Sequence, residues 1–380
     1  MKVCFITHSY PPAETAAASH SESFVSELVK SGIDVVLITA SRNQLKSIEK
    51  HEGLTIYRLP LEMPIAIDFL EFLSKVSVIL NKVHEKENFE LIHSEHLFPA
   101  IYAGDFAYKN NLPHIVTIEG VSNVSIYSKI LFQYHKFWLP RIKADKIVSW
   151  SRFLIDDYFL KWGIKKDKMD VIPGVVDINK FNPFVRYSHR KGLGNKKKQI
   201  ITAKPFYFTN ALGILYTIKA MKYVIERYKD CELVIGGTGR MESVLKNFVK
   251  NVDLGNCIKF LGWVPHNDMP MFYRAADVVV DSFVFRHPGS ITVLESLASG
   301  TPNVLTKIEC VPGEKNIPNN SIAVLSNPKD SESIGNGILK LLENKNYGKR
   351  LAKNAWEFVK DNFTLEKIIK KYKTLYETII

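Results

Sequence analysis

The chain contains no apolar run of roughly eighteen residues, and Met1-Lys2 leads straight into the strand-like stretch VCFIT. Neither a spanning helix nor a signal peptide is expected, which points to a cytoplasmic protein. Cysteine is scarce: Cys4, Cys231, Cys257 and Cys310 are scattered with no CxxC pair. That spacing excludes a disulfide framework and a zinc ribbon, and suits buried free thiols in a reducing compartment. No repeat of about 20 to 50 residues is present. There is no helix-turn-helix, RNP-like or zinc-finger signature, and the basic residues are not gathered in one domain, so nucleic acid is not an expected partner. His8, His20, His93 and His96 lie near strand ends without an i, i+4 or comparable spacing. No metal ligand set and no cofactor are therefore expected.

What is present is a long, mixed chain. At 380 residues it suits two α/β domains of about 180 residues each. Hydrophobic residues make up 46% and aromatics 11%, enough to give each domain a core. The net charge of +12 attracts anions of some kind, whether nucleotide phosphate, anionic lipid or nucleic acid. The first half alternates β-branched runs with amphipathic helices, the pattern of a parallel, doubly wound sheet. Strands are expected at 3–7, 34–40, 54–59, 90–94, 114–118, 146–149 and 169–173. The loop HSYPPAETAAASHSES after the first strand is either a site wall or a plain surface connection. Residues 64–86 form a long amphipathic stretch, and 124–143 interleave Tyr127, Phe132, Tyr134, Phe137 and Trp138 with Lys129, Lys136, Arg141 and Lys143. Such a helix either docks on an anionic membrane or packs its aromatics inward and solvates its lysines; the second arrangement is the commoner one.

The run RYSHRKGLGNKKK (186–198) is basic and aperiodic, and reads as a linker. Beyond it the pattern restarts with a strand at 199–203, a helix at about 211–228, a strand at 232–235 and the turn Gly236-Gly237-Thr238-Gly239 before a helix at 241–252. Glycines at a strand-to-helix turn are by themselves a weak sign of phosphate binding. The stretch DSFVFRHPGSITVLESLASGTP (281–302) passes from a strand through a Pro-Gly turn into a helix stopped by Gly300 and Pro302. There the N–H groups of Ser290 and Ile291 would sit at the positive end of a helix, where phosphate is favoured. Glu295, further along that helix, would face the strand ends and could accept hydrogen bonds from a diol. The tail 364–380 carries Leu365, Ile368, Ile369, Tyr372, Leu375 and Tyr376 in a helical stripe that needs a groove.

Four phrases, in order, resemble the GT-B glycosyltransferases, and most closely the retaining family 4 group. VIPGVVDINKFNP (171–183) is similar to the family's interdomain phrase, and ELVIGGTGRMESVL to its glycine turn. IKFLGWVPHNDMPMFYRAADVVV follows the family phrase almost position by position, and SITVLESLASGTPNV resembles the phrase that carries the donor-binding glutamate. The resemblance implies two Rossmann-like domains facing a cleft. The first comprises 1–183 plus 362–380 and takes the acceptor, 184–198 is a linker about which the domains close, and 199–361 binds the donor. It implies that the backbone at Trp263 and Val264 holds the base, Glu295 the ribose, and Gly289, Ser290 and Ile291 the diphosphate, with Gly237 and Gly239 in the glycine turn.

Three departures from the family pattern stand out. Where the family has an Arg and a Lys, this chain has Lys204 and, near the second position, Asn210. His287 replaces the first carboxylate of the E-x7-E motif; it could hydrogen-bond a sugar hydroxyl or, if protonated, help neutralise phosphate, but could not serve as a carboxylate. Glu119 replaces a histidine near the reacting sugar, where it could polarise the acceptor hydroxyl as a base or bind a donor hydroxyl. Lys204, His287 and Glu119 are thus the catalytic candidates. The implied function is retaining transfer, without a metal, from a nucleoside diphosphate sugar to a sugar, lipid-linked or protein-linked acceptor in surface polysaccharide, glycolipid or glycoprotein synthesis. The site would be cytoplasmic, with peripheral contact to the inner face of the membrane. The alternatives are a catalytically impaired GT-B homologue that serves as a binding or scaffold subunit, and a GT-B epimerase or phosphorylase.

Overall fold

The computed structural model describes residues 1–13, 16–41, 45–63, 68–120, 126–184, 197–287, 289–307 and 321–380. Most of the expected linker, the first residues of the 64–86 and 124–143 stretches, and Cys310 lie outside them. The chain forms two compact units, Met1–Val175 with Leu365–Ile380, and Val176–Thr364. The division therefore falls before the phrase 176–183, which the expected boundary at 183 gave to the first domain. The physical reason is packing. Val176 donates to Phe363 O (3.1 Å), Phe181 is buried in the second unit's core, and Pro183 lies against Gly300.

The first unit runs β1 (Lys2–Thr7), α1 (Ala16–Lys30), β2 (Asp34–Ser41), β3 (Ile48–His51), β4 (Leu54–Pro60), α2 (Asp68–Glu87), β5 (Leu91–Glu95), α3 (Leu97–Lys109), β6 (His114–Ile118), α4 (Ile126–Trp138), β7 (Lys146–Ser149), the single turn α5 (Arg152–Leu154) and β8 (Met169–Val171). Its sheet has the order β3-β4-β2-β1-β5-β6-β7-β8. All neighbours are parallel except β3, which pairs antiparallel to β4 at the edge. The strands are apolar on both faces because helices cover both. The strand order reverses at β1, which lies between β2 and β5, so the loops after β1 and β5 flank the crevice where such sheets bind ligands.

In the second unit come β9 (Lys198–Ala203), α6 (Phe208–Arg227), β10 (Cys231–Gly236), α7 (Glu242–Asn251), β11 (Ile258–Gly262), α8 (Met269–Arg274), β12 (Val278–Asp281), α9 (Ile291–Ala298), β13 (Asn303–Thr306), β14 (Val324–Ser326), α10 (Ser331–Glu343) and α11 (Lys345–Asn362). Lys198, the last residue of the expected linker, is thus the first of β9. The sheet is β11-β10-β9-β12-β13-β14, parallel throughout. Its reversal lies at β9, between β10 and β12.

The last helix, α12 (Leu365–Ile379), packs in the first unit. The groove its stripe needs is made by α1 and the sheet: Ile368, Ile369, Tyr372 and Tyr376 are buried with Phe24, Leu28 and Phe5. A chain of hydrogen bonds pins it there. His93 on β5 bonds the Tyr376 hydroxyl and Thr117, each at 2.7 Å, and Thr117 bonds the Tyr372 hydroxyl at 3.1 Å.

Candidate functional site

The second unit gathers its candidates at the β9/β12 reversal. Lys204 follows β9 directly, and its buried ammonium donates to Ser282 O (2.7 Å), pairs with Asp281 (2.5 Å) and stands 3.4 Å above the Phe283 ring. A buried ammonium requires such partners, because isolated charge is strongly disfavoured away from water. Asp281 also accepts from the hydroxyl of Thr292 on α9 (3.4 Å), and Ser290 bonds Thr292 (2.7 Å). The cation is therefore tied through Asp281 to the start of α9. Among the described residues no acceptor takes the N–H of Ser290 or Ile291, so the helix start can accept an anion. Gly289 turns the chain into it at φ +117°, a conformation that favours glycine.

His287 sits near the Lys204 ammonium and the Phe283 ring. Burial, and then the Lys204 ammonium, push its imidazole down to about 4, against an opposing hydrogen bond to the Gly289 backbone. That direction favours the neutral imidazole, which can still hydrogen-bond a sugar hydroxyl, and its ring lies tilted against Phe283 with centroids 5.0 Å apart. Asn210 supplies no cation either; its amide donates to Pro205 O (3.1 Å) and holds the loop that leads into α6.

Glu295 is buried on α9, and its carboxylate shares a 2.7 Å hydrogen bond with His266 Nε2. His266 comes from the loop after β11, which also carries the exposed Trp263 (47% accessible) and Val264. The Val264 side chain packs against Gly236, where a Cβ would lie 3.1 Å from it. Among the described residues the buried Tyr273 hydroxyl has no hydrogen-bond partner. Burial, then Glu295 and Asp281, raise it well above its ordinary value.

Gly237 and Gly239 have a packing reason that needs no ligand. Gly237 (φ +132°) would place a Cβ 2.0 Å from Lys204 O, and Gly239 (φ +151°) one 2.9 Å from the Phe206 backbone. The turn lies flat on the loop after β9, bonded through Phe206 N to Thr238 O (2.8 Å). It fixes the backbone from which Lys204 projects.

In the first unit, Glu119 follows β6 and lies beside Glu95 at the end of β5. Burial pushes Glu119 up to about 7, and burial and then Glu119 push Glu95 up to about 7. His20 from α1 joins them: its side chain is 7% accessible, it is pushed down to about 4 by burial and then by His96, and among the described residues neither ring nitrogen makes a hydrogen bond. No sequence spacing flagged this trio, because the residues come from three elements that meet only in the folded sheet. His96, between β5 and α3, adopts φ 67°, ψ 164°, a rare conformation for a residue with a Cβ. Close by is a cavity of about 210 Å³ lined by His8, Phe72, His96, Phe98, Gly120 and His135. On α4, Ile130, Tyr134 and Phe137 are exposed alongside the exposed Lys129 and Lys136, whereas Phe132 packs against Tyr158 and Trp162 and Trp138 is partly buried against the core. Among the described residues no helix is long and apolar enough to cross a membrane.

His266, Asp281 and Tyr273 were missed from sequence. His266 lies inside a quoted phrase, GWVPHND, and its separation of 29 residues from Glu295 carries no local signal. Asp281 read only as the end of a strand.

Comparison with known proteins fits this geometry. Residues 17–180 match the model of "Glycosyltransferase Family 4", and residues 186–358 that of "Glycosyl transferases group 1". An uncharacterized glycosyltransferase of Methanocaldococcus jannaschii is 24% identical over 99% of this chain and 98% of its own. The alpha-monoglucosyldiacylglycerol synthase of Streptococcus pneumoniae is 24% identical over 80% of this chain and 70% of its own. Sucrose-phosphate synthase from Thermosynechococcus elongatus superposes with a TM-score of 0.83 at 18% identity, covering 100% of this chain and 98% of that one. Anabaena HepE in complex with UDP superposes at 0.77 with 16% identity, covering 100% of both chains.

Proposed function

The chain belongs to the group 1, family 4 glycosyltransferases of GT-B fold, and on that premise we propose that it moves a sugar, with retention, from a nucleoside diphosphate sugar to a glycolipid, polysaccharide or glycoprotein precursor. The observation that carries the donor reading is the junction of Lys204, Asp281 and the α9 start, with Glu295 on the same helix. Cleavage of an anomeric C–O bond leaves negative charge on the departing diphosphate. Open N–H groups and one fixed ammonium are donors suited to that charge. Glu295, oriented by His266, is placed to accept from the ribose hydroxyls, and Trp263 offers an exposed ring for the base. The UDP in the HepE structure supports a nucleotide donor by analogy. The lipid named in the pneumococcal synthase supports an acceptor held at a membrane, for which the exposed aromatic and basic face of α4 is suited. The cavity beside Gly120 is the candidate acceptor pocket.

A second reading keeps one observation of its own. Asp281 already neutralises Lys204, which suits a subunit that binds a nucleotide sugar without transferring it. Calorimetric titration with UDP-, GDP- and ADP-sugars separates the two. Binding of one donor that weakens about 10- to 100-fold in Glu295→Ala, together with turnover, supports the transferase. Binding with neither hydrolysis nor transfer supports the second reading, and wild type and Glu295→Ala binding alike removes the donor site. For the membrane, the protein should sediment with anionic vesicles at low salt and lose this on Phe137→Ser with Lys136→Ser; failure to sediment removes that part.

A further inference from the structure

We propose that His20, Glu95 and Glu119 hold a first-row divalent cation, of the Zn²⁺ or Mn²⁺ class, at the ligand-binding edge of the first unit's sheet. One ligand atom from each residue lies within 4.8 Å of those of the other two. Bonds of about 2.0–2.2 Å to nitrogen and carboxylate oxygen place two ligands of one ion up to about 4.2 Å apart. His20 Nδ1 stands 3.9 Å from Glu95 Oε1, too far for a hydrogen bond between them and within the span of two bonds to a shared ion.

The second observation is the histidine itself. More than nine-tenths of its side chain is buried, and yet among the described residues neither ring nitrogen makes a hydrogen bond. A buried imidazole is ordinarily satisfied on at least one side, as His93 and His114 of the same sheet are. No Lys or Arg among the described residues pairs with Glu95 or Glu119, although the chain carries a net +12. Glu95 is buried and Glu119 half-buried beside it, and two carboxylates so close together favour a cation or a proton between them. A divalent ion balances both of their charges, and the neutral imidazole adds a nitrogen ligand. Ser21 donates to Glu95 Oε2 (2.9 Å), which leaves Oε1 to face His20. Beside the trio opens a cavity of about 10 Å³, lined by His20, Glu95, Thr117, Trp150 and Tyr372, room for about one water to complete the coordination.

The inference stands apart from the transferase reading, and its test reads metal, not activity. The untagged, chelator-stripped chain is dialysed against Zn²⁺ or Mn²⁺ in nucleotide-free buffer, and bound metal is measured by atomic emission. Wild type is expected to retain one equivalent of at least one ion and to melt at a higher temperature with it. His20→Ala and Glu119→Gln should bind about tenfold or more weakly and lose that shift, while Glu295→Ala, in the other unit, keeps both. Apo melting temperatures identify a variant that has failed to fold, and Glu95→Gln then serves in its place. If wild type retains no stoichiometric ion, or the ligand variants bind as wild type does, the site does not exist.

Discussion

At the scale of single residues the two units stake much on buried polar groups. Lys204→Met leaves Asp281 buried without its cation and is expected to destabilise the second unit by about 3–5 kcal/mol, read by urea unfolding. Adding Asp281→Asn should restore most of that stability without restoring affinity for UDP. If affinity returns too, the ammonium has no part in donor binding. In the first unit, burial pushes His93 down to about 3 and His114 to about 4 from an ordinary 6.5. Between those values the unfolded chain binds more protons, so their contribution is full above about pH 6.5 and is lost as pH falls towards 4. The slope is about 1.4 kcal/mol per pH unit for each histidine. Glu95 and Glu119, raised when folded, act in the opposite sense, so the informative quantity is the difference between wild type and His114→Asn. The variant should show a slope shallower by about one proton, and an unchanged slope means that His114 is protonated in the fold. These partnerships explain what the sequence could and could not disclose. Glu295 and Lys204 were legible because each sits in a local phrase whose strand-turn-helix pattern fixes its place. Their partners His266 and Asp281, and the meeting of His20 with Glu95 and Glu119, depend on which strands become neighbours, and one chain read in order does not contain that information.

At the scale of elements, strands buried on both faces wrote themselves plainly: 114–118 and 146–149 fall where the β-branched runs predict. Two of the edge strands did not. Ile48–His51 (IEKH) is mostly exposed and shows no apolar alternation, and Val324–Ser326 is only three residues long. Each is a strand because a neighbour offers it a free edge, which is a tertiary cause. The glycine turn makes a related point. GGTG looked like a weak phosphate signature, and in the fold it is the surface on which the Lys204 loop lies. Gly237→Ala would put a methyl group 2.0 Å from Lys204 O at φ +132°. The expected cost is above about 2 kcal/mol, with weakened UDP binding because the loop carries Lys204. Unfolding and calorimetry check both, and a variant as stable as wild type would show that the turn yields without strain.

At the scale of the whole molecule, the second unit is inserted between the two parts of the first, since 176–364 separate Met1–Val175 from α12. Each unit has cores of its own: one set centred on Ile214, Leu233 and Val279, the other on Phe5, Leu37 and Ile92. Chains built this way commonly depart from two-state unfolding, so a calorimetric scan is expected to resolve two transitions. Deleting 365–380 removes the buried Ile368, Ile369, Tyr372 and Tyr376 and leaves His93 and Thr117 without their hydroxyl partners. Ile368→Ala alone should cost about 2–5 kcal/mol, and the deletion more, all of it in the first unit. UDP, which would bind the folded second unit alone, should raise the other transition by mass action and leave the first where it was. In the deletion variant the UDP-sensitive transition should persist unchanged while the first falls or vanishes. If both transitions fall together when α12 is cut, the stability of the second unit depends on the first, and the two cores do not fold as separate units.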